Sequence, residues 1–498
     1  MKYERKVHFN MSQPQPQVKR GLLLFVILLG SFLSVLNQTI LNVALPALME
    51  EFSVSATTAQ WLSTGFMLVN GILIPVTAYL MKRFTTRQLF LSSMLLLLVG
   101  TFINSIAPSF EILLIGRLIQ AAGAGIIMPL LMAVVLVIFP VEGRGTAMGL
   151  TGLVMVFAPA IGPTLAGIVI EHYSWRWIFI GMLVLVVIVI ALSYKLLVNV
   201  SETSKQKLDI ISIVLSTIGF GGILYGLSSA GDKGWGSAVV LSCLVIGIIF
   251  LVIFCRRQLL ANDPMLNLRV FKDKMFTITA IINVLVTMIM YGDMILLPLY
   301  LQSSRGYSVL DTALLMLPGA LLNAAMSPIS GRLFDKFGAK PLALIGLIFL
   351  IPAIWGVTDL TETTSYGYLM LRTVLLRLGL SLLTMPITTA GLNTLPRQLG
   401  AHGSAVTNTV RQVSGAIATA MVVTIMTISA KHHAVELSQS GNLLSKAQIA
   451  KDASIFGASE GYIFITIIGV IAFILTLFMP GKMKEKESSK QGKAVAEN

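Results

Sequence analysis

Charge is scarce in this 498-residue chain: Asp, Glu, Lys and Arg together make up 12% of it, against 55% hydrophobic residues and a mean hydropathy of +0.85. A soluble globular domain carries about a quarter charged residues, so a water-exposed globule is excluded. The only two cysteines, Cys243 and Cys255, sit in one apolar run, which excludes a disulfide framework and a thiolate metal site and leaves them as packing residues. The five histidines show no ligand spacing, and His432 and His433 stand together in a polar segment. No Gly-x-x-x-x-Gly-Lys-Ser/Thr run is present, nor any polar stretch long enough for a nucleotide-binding domain, so ATP-driven pumping is unsupported. The net charge of +14 does not point to nucleic acid, because the cations fall in short loops between apolar runs and form no basic helix or aromatic-interleaved patch. A membrane hydrolase or transferase would need a cluster of carboxylates or histidines. The apolar runs offer one clear Asp, so the chain reads as a non-enzyme with no metal and no cofactor.

What is present is a series of apolar runs. Taking about 20 residues as one crossing, the sequence predicts fourteen spans near 21–46, 58–81, 89–106, 110–138, 146–170, 177–199, 209–230, 238–255, 275–301, 309–331, 341–358, 366–390, 404–430 and 460–480. An even number puts both termini on one side. Most of the 36 Lys and Arg residues lie on that side, including Lys19, Arg20, Lys82, Arg83, Arg87, Arg144, Arg256, Arg257, Lys336 and Lys340. The positive-inside bias then makes both termini cytoplasmic in a multi-pass protein of the cell membrane. The five tryptophans, Trp61, Trp175, Trp177, Trp235 and Trp355, all fall at the opposite ends of spans, as an interfacial aromatic belt would. The first run is too long for a signal peptide and lacks a cleavage-like end, so it is expected to remain as a helix.

An internal repeat divides the chain. Pro75, Leu80, Lys82, Arg83, Phe84, Thr85 and Arg87 align at a constant offset of 253 with Pro328, Leu333, Asp335, Lys336, Phe337, Gly338 and Lys340. Met128-Pro129 in span 4 is echoed by Met385-Pro386 in span 12. The expected organisation is a cytoplasmic segment 1–20, a six-helix half 21–199, two inserted helices and a cytoplasmic linker 200–274, a second six-helix half 275–481, and a polar tail 482–498.

Ionisable groups inside spans are costly, roughly 2.5–3.5 kcal/mol each on insertion scales, and are functional candidates by default. Asp293 in span 9 is the carboxylate; Arg117, Arg372, Arg377 and Arg411 are the cations. Pro298 frees the carbonyl of Met294 and loosens the helix one turn from Asp293. A carboxyl group there can load and release a proton when its burial or its distance to a cation changes; a permanent ion pair joining two helices is the alternative. Arg117 shares a face with Ala121, Gly125 and Pro129, and Arg411 has Gly415 one turn on, so each is either a proton-coupling partner or a fixed structural contact. The loop Gly331-x-Leu333-x-Asp335-Lys336-x-Gly338-x-Lys340 places a carboxylate and cations where they can latch one half to the other in one conformation, beyond ordinary positive-inside topology. Asn37, Gln38 and Asn42 in span 1, Asn70 in span 2, and Asn408 and Gln412 in span 13 are candidate cavity polar groups. Phe157, Met290 and Tyr291 can supply an adaptable wall or ordinary packing.

In span 5 the run Ala158-Pro159-Ala160-Ile161-Gly162-Pro163-Thr164-Leu165-Ala166-Gly167 carries two prolines that would end a soluble helix. In a membrane the helix is expected to bend and continue. Ala158, Gly162 and Ala166 make one smooth face, read either as packing or as a seam on which the halves close on the outer side.

These residues are similar to the fourteen-span drug/proton antiporter group of the major facilitator superfamily, which includes lincomycin- and quaternary-ammonium-exporting proteins of bacteria. The span 5 run resembles its antiporter motif, Leu36 to Pro46 its first-helix motif, and Leu113-x-x-x-Arg117-x-x-Gln120-x-x-Gly123 its fourth-helix motif assigned to proton transfer; Trp175-Arg176-Trp177-Ile178-Phe179 is also typical. The resemblance implies an all-α polytopic fold of two six-helix halves plus two inserted helices, and export of amphipathic compounds in exchange for protons, with the proton gradient as energy source and a monomer in the lipid bilayer. Asn37 stands where the group has Asp, Lys82 and Thr85 replace the Asp and Gly of the first loop motif, and span 13 has no acidic residue. Coupling therefore shifts to Asp293. The alternatives are export of an endogenous metabolite or signalling molecule, anionic or not, on the same fold, or a receptor or scaffold that does not transport.

Overall fold

The computed structural model describes residues 20–41, 44–54, 56–200, 209–439 and 445–480. Apolar composition and the absence of water to pair with the backbone make helix the stable form of each run. The helices are α1 (Arg20–Ile40), α2 (Leu45–Phe52), α3 (Ala56–Arg83), α4 (Thr86–Ser105), α5 (Phe110–Ile138), α6 (Arg144–His172), α7 (Arg176–Leu196), α8 (Ile210–Lys233), α9 (Ala238–Leu260), α10 (Lys274–Leu299), α11 (Val309–Phe337), α12 (Ala339–Trp355), α13 (Tyr366–Asn393), α14 (Gly400–Gln439) and α15 (Lys446–Leu477). Thirteen of them are long and apolar enough to cross a membrane, and α12, with 17 residues, is the fourteenth candidate. Each falls on one of the fourteen expected spans; α2 is a short helix between the first two.

Polar residues at the loop ends start the helices. Asp209, Asp273, Ser365 and Ser445 each accept the backbone N–H three residues on, and Thr85 with Gln88 and Ser308 with Asp311 form reciprocal capping boxes. α6 runs unbroken through Pro159 and Pro163, as expected of a membrane helix. After Pro298, α10 gives way to one π-helical turn at Tyr300–Ser304.

Successive spans alternate in direction. Arg87 at the start of α4 bonds Asn199 and Tyr194 near the end of α7, Arg257 of α9 pairs with Asp209 before α8, and Lys340 of α12 reaches the carbonyl of Leu477 in α15. These contacts define one face of the bundle, called here the basic side. At the far side Arg176 pairs with Glu51 of α2, Tyr300 donates to the Thr361 carbonyl, and Lys451 pairs with Glu362. Burial raises the Glu51 carboxyl, but hydrogen bonds from Trp175 and Arg176 outweigh it and hold its pKa below the usual value.

One buried apolar cluster fills the first half and another fills the second. The first extends into the second half through Phe276, Leu392, Leu395, Ala405 and Val406, residues at the basic-side ends of α10, α13 and α14. The inserted pair α8 and α9 is a tight hairpin: a Cβ on Gly222 would lie 2.9 Å from the Cys243 carbonyl and 3.0 Å from Gly247 Cα. α9 leaves Leu241, Val245, Ile249 and Val252 exposed, a face suited to lipid. Cys243 and Cys255 are free thiols.

Candidate functional site: two buried arginine centres and a latch

Asp293 lies in the second half, 3% exposed, between α10, α13 and α15. Its Oδ2 accepts from Arg377 Nη2 at 2.8 Å and its Oδ1 from the Tyr462 hydroxyl at 3.4 Å. Gly319 of α11 makes room for the Arg377 stem, since a Cβ there would lie 3.0 Å from Arg377 Cγ. Gly292 likewise lets α10 approach Ile465 of α15. The result is a buried ion pair with one polar neighbour.

Neither Arg117 nor Arg411, expected as partners of Asp293, is bonded to it. Arg117, on α5, is fully buried in the first half. It donates from Nη1 to the Asn37 carbonyl at 3.0 Å and to Gln120 Oε1 at 3.1 Å, from Nε to the Leu62 carbonyl at 3.5 Å, and its guanidinium lies 4.5 Å over the Phe66 ring. Gln120 is held in turn by Thr101 and Asn104 of α4. Arg411 is half-buried on α14, with Nη1 3.3 Å from Met155 Sδ of α6. The cation bonded to Asp293 is Arg377. Helical spacing puts an Arg on the fourth helix of each half, but only the tertiary fold shows which one meets the carboxylate. Tyr462 gave no sequence signal beyond a lone phenol in an apolar span.

The candidate cavity residues separate. Asn408 is buried and donates to the Ser404 carbonyl at 3.0 Å and to Met132 Sδ at 3.2 Å, joining the halves rather than facing open space. Gln412 packs near Gly71 of α3. Asn70 turns its carbonyl toward Gly125 of α5. Tyr291 lies against Gly415, and Phe157 is 6.4 Å from the Phe32 ring. Gln38, Met290 and Tyr291 are half-buried and Asn37 is fully buried. Asn42 lies outside the described residues, as does the side chain of Pro163.

At the basic side Asp335 reaches across to the first half. Its Oδ1 accepts the Gly145 N–H at 2.8 Å, and its Oδ2 accepts the Thr146 N–H at 2.9 Å and hydroxyl at 2.7 Å. The carboxylate therefore caps the first turn of α6, where unpaired N–H groups and the helix dipole favour a negative charge. The carboxylate of the loop motif thus bonds the other half at a helix end in this conformation. Lys340 stays within its own half, and the Lys336 ammonium lies 5.2 Å from the Phe337 ring. Gly338 adopts φ 81°, which favours glycine, and Gly331 touches the other half: a Cβ there would lie 2.1 Å from the Gly145 carbonyl. Arg144 bonds Asn393 at 3.0 Å and Ser404 donates to the Pro129 carbonyl at 2.8 Å. Each of these cross-half bonds lies toward the basic side.

The span 5 run packs within the first half in this structure, the first of the two readings its smooth face allowed. A Cβ on Gly162 would meet Thr39 Oγ1 at 2.7 Å and Leu36 at 3.4 Å, so the Ala158, Gly162 and Ala166 face packs on α1 inside one half. Pro159 is half-buried, and nothing lies within 4 Å of a Cβ on Gly167. The small residues of α6 that meet the other half are Gly145, Gly149 and Gly152, nearer its start.

A family model described as Major Facilitator Superfamily matches residues 27–419. The chain belongs to that superfamily. It is 44% identical over 502 residues to an uncharacterized MFS-type transporter, YhcA, of Bacillus subtilis (strain 168), covering 94% of each chain. To the lincomycin resistance protein LmrB of the same organism it is 42% identical over 455 residues, covering 91% of this chain and 94% of the other. Among solved structures, the human organic anion transporter MFSD10 superposes with a TM-score of 0.66 at 14% identity, covering 93% of this chain and 100% of that one, a likeness of fold. This major facilitator is thus a multi-pass membrane transporter and not an enzyme, with relatives named for drug resistance.

Proposed function

We propose that this major facilitator is a proton-driven exporter of amphipathic compounds in the cell membrane, with the basic side and both termini in the cytoplasm. The names of relatives such as LmrB support the substrate class, and the Lys/Arg asymmetry supports the orientation. The observation that carries the coupling is the Asp293–Arg377 pair with Tyr462 beside it. A carboxylate bound to a guanidinium needs no proton. When helix movement draws Arg377 away inside hydrocarbon, protonation becomes the lower-energy way to keep Asp293 buried.

Alternating access supplies that movement. With Asp335 on the start of α6, the halves are joined on the cytoplasmic side, and the binding region opens outward. Release of this cap lets the halves part inward, where the next substrate enters. Each inward charge is worth about 2.3 kcal/mol per 100 mV, which drives the cycle toward export. Asp293→Asn, which keeps the shape and removes the titratable charge, should abolish gradient-driven efflux of a fluorescent drug from cells while the protein stays in the membrane. Wild-type efflux by that variant would remove Asp293 from the coupling step.

One observation favours a second reading in which the cargo is anionic. The Arg411 guanidinium projects from α14 to Met155 across the halves and is bonded to sulfur instead of a carboxylate. Competition of dye efflux by lipophilic anions, with lipophilic cations inert, would favour that cargo.

A further inference from the structure

Arg117 is a charged group placed where charge is expensive, and among the described residues nothing bonded to it carries a negative charge. Its partners are two backbone carbonyls, the Gln120 amide oxygen and the Phe66 ring. Arg117, Asn37, Gln120, Leu62 and Phe66 are all 0–2% exposed, so water does not screen the charge. Two donors at this place make no hydrogen bond: Arg117 Nη2, and Nδ2 of Asn37, whose own carbonyl Arg117 holds. Asn37 Oδ1 is also unpartnered, so the amide has not turned to accept from the guanidinium.

The second half shows how this fold neutralises such a group. Arg377, on the corresponding fourth helix, meets the carboxylate of Asp293 on the corresponding first helix at 2.8 Å. In the first half the first helix offers the neutral Asn37. A buried cation left without a counter-charge is strongly unfavourable, and unmade hydrogen bonds on the same group add to the cost.

We propose that Arg117 and Asn37 form a buried site for one small monovalent anion of the halide type, held by Arg117 Nη2 and Asn37 Nδ2. The anion is the counter-charge that the second half builds in as Asp293. A monatomic ion is the proposed occupant because Arg117 and Asn37 are both fully buried among residues of α1, α3 and α5, which keeps a carboxylate-bearing substrate away from them. The site is separate from the coupling pair and holds whether or not Asp293 carries a proton.

The test uses the full-length protein in detergent, with thermal unfolding measured in sodium bromide and in sodium gluconate at equal ionic strength. Bromide should raise the midpoint saturably, by at least about 2 °C well above its Kd. Asn37→Asp supplies the missing carboxylate, so this variant should lose the bromide response and unfold in gluconate no earlier than the wild type does in bromide. Asn37→Leu, which removes one donor without adding charge, should keep a response of lower apparent affinity. A crystal structure from bromide should show its anomalous peak at hydrogen-bonding distance from Arg117 Nη2. Equal midpoints in bromide and gluconate, an undiminished bromide response in Asn37→Asp, or a water molecule without anomalous signal beside Arg117 would each overturn the proposal.

Discussion

The two halves of this transporter each bury an arginine on their fourth spanning helix, yet surround it differently. In the second half Arg377 meets a carboxylate and completes an ion pair that Tyr462 also touches. In the first half Arg117 meets carbonyls, an amide and an aromatic ring. Both copies thus carry a buried cation on this helix, while among the described residues only Arg377 is paired with a carboxylate. The first centre ties α1, α3, α4 and α5 together by neutral acceptors, and the second joins α10, α13 and α15 through an ion pair.

The largest expected effect separates the two centres directly. Arg377→Met leaves Asp293 as an unpaired buried carboxylate and should destabilise the protein by about 3–5 kcal/mol. The double variant Arg377→Met with Asp293→Leu should recover most of that loss. Arg117→Met removes a charge but leaves only neutral acceptors behind, and should cost less, about 1–3 kcal/mol. Denaturation of all three in detergent checks the order; equal losses in the two single variants would mean that the centres are energetically alike.

A smaller effect tests the junction between the halves. Asp335→Ala removes the cap on α6 and should shift the equilibrium toward the inward-open form by about 1–2 kcal/mol, a roughly five- to thirtyfold change in population. Labelling of a cysteine placed at Ser327, which packs against Gly149 and Gly152, should become faster by that factor. Unchanged labelling would show that the cap does not hold the halves together.

The smallest effect lies at the far side, in the first half alone. Glu51 and Arg176 are partly exposed, so Glu51→Gln should cost only about 0.2–1 kcal/mol. Because the folded-state pKa of Glu51 lies below its ordinary value, the pair contributes fully above that ordinary value and its contribution is lost as pH falls through the lowered one. Wild type and Glu51→Gln should therefore converge in stability in acid and differ at neutral pH, in unfolding curves taken across that range.

The fourteen helices were legible because hydrocarbon thickness imposes a single length scale on every span, whereas the short α2 was not, since the apolar run that continues to Pro46 hides the break after Ile40. Asp293 was legible because a carboxylate in an apolar run has no bland place to hide. Its partner was not, since Arg117, Arg377 and Arg411 have the same chemistry and the choice depends on which helices adjoin α10. The Asp335 latch was half legible: the motif marks the carboxylate, but backbone N–H groups at the start of α6 leave no side-chain signature. The span 5 run is legible in another sense. Its small residues announce close packing, yet a smooth face does not say which helix it meets, and here that helix is α1.

In the proposed cycle Asp293 links substrate movement to proton movement. This link is tested most directly by reconstituting wild type and Asp293→Asn in proteoliposomes with a pH-sensitive dye inside and adding drugs from a panel that includes lincomycin. The account predicts substrate-dependent proton flux for the wild type, and for Asp293→Asn no proton flux with substrate exchange retained. Proton flux of wild-type size through Asp293→Asn would contradict it.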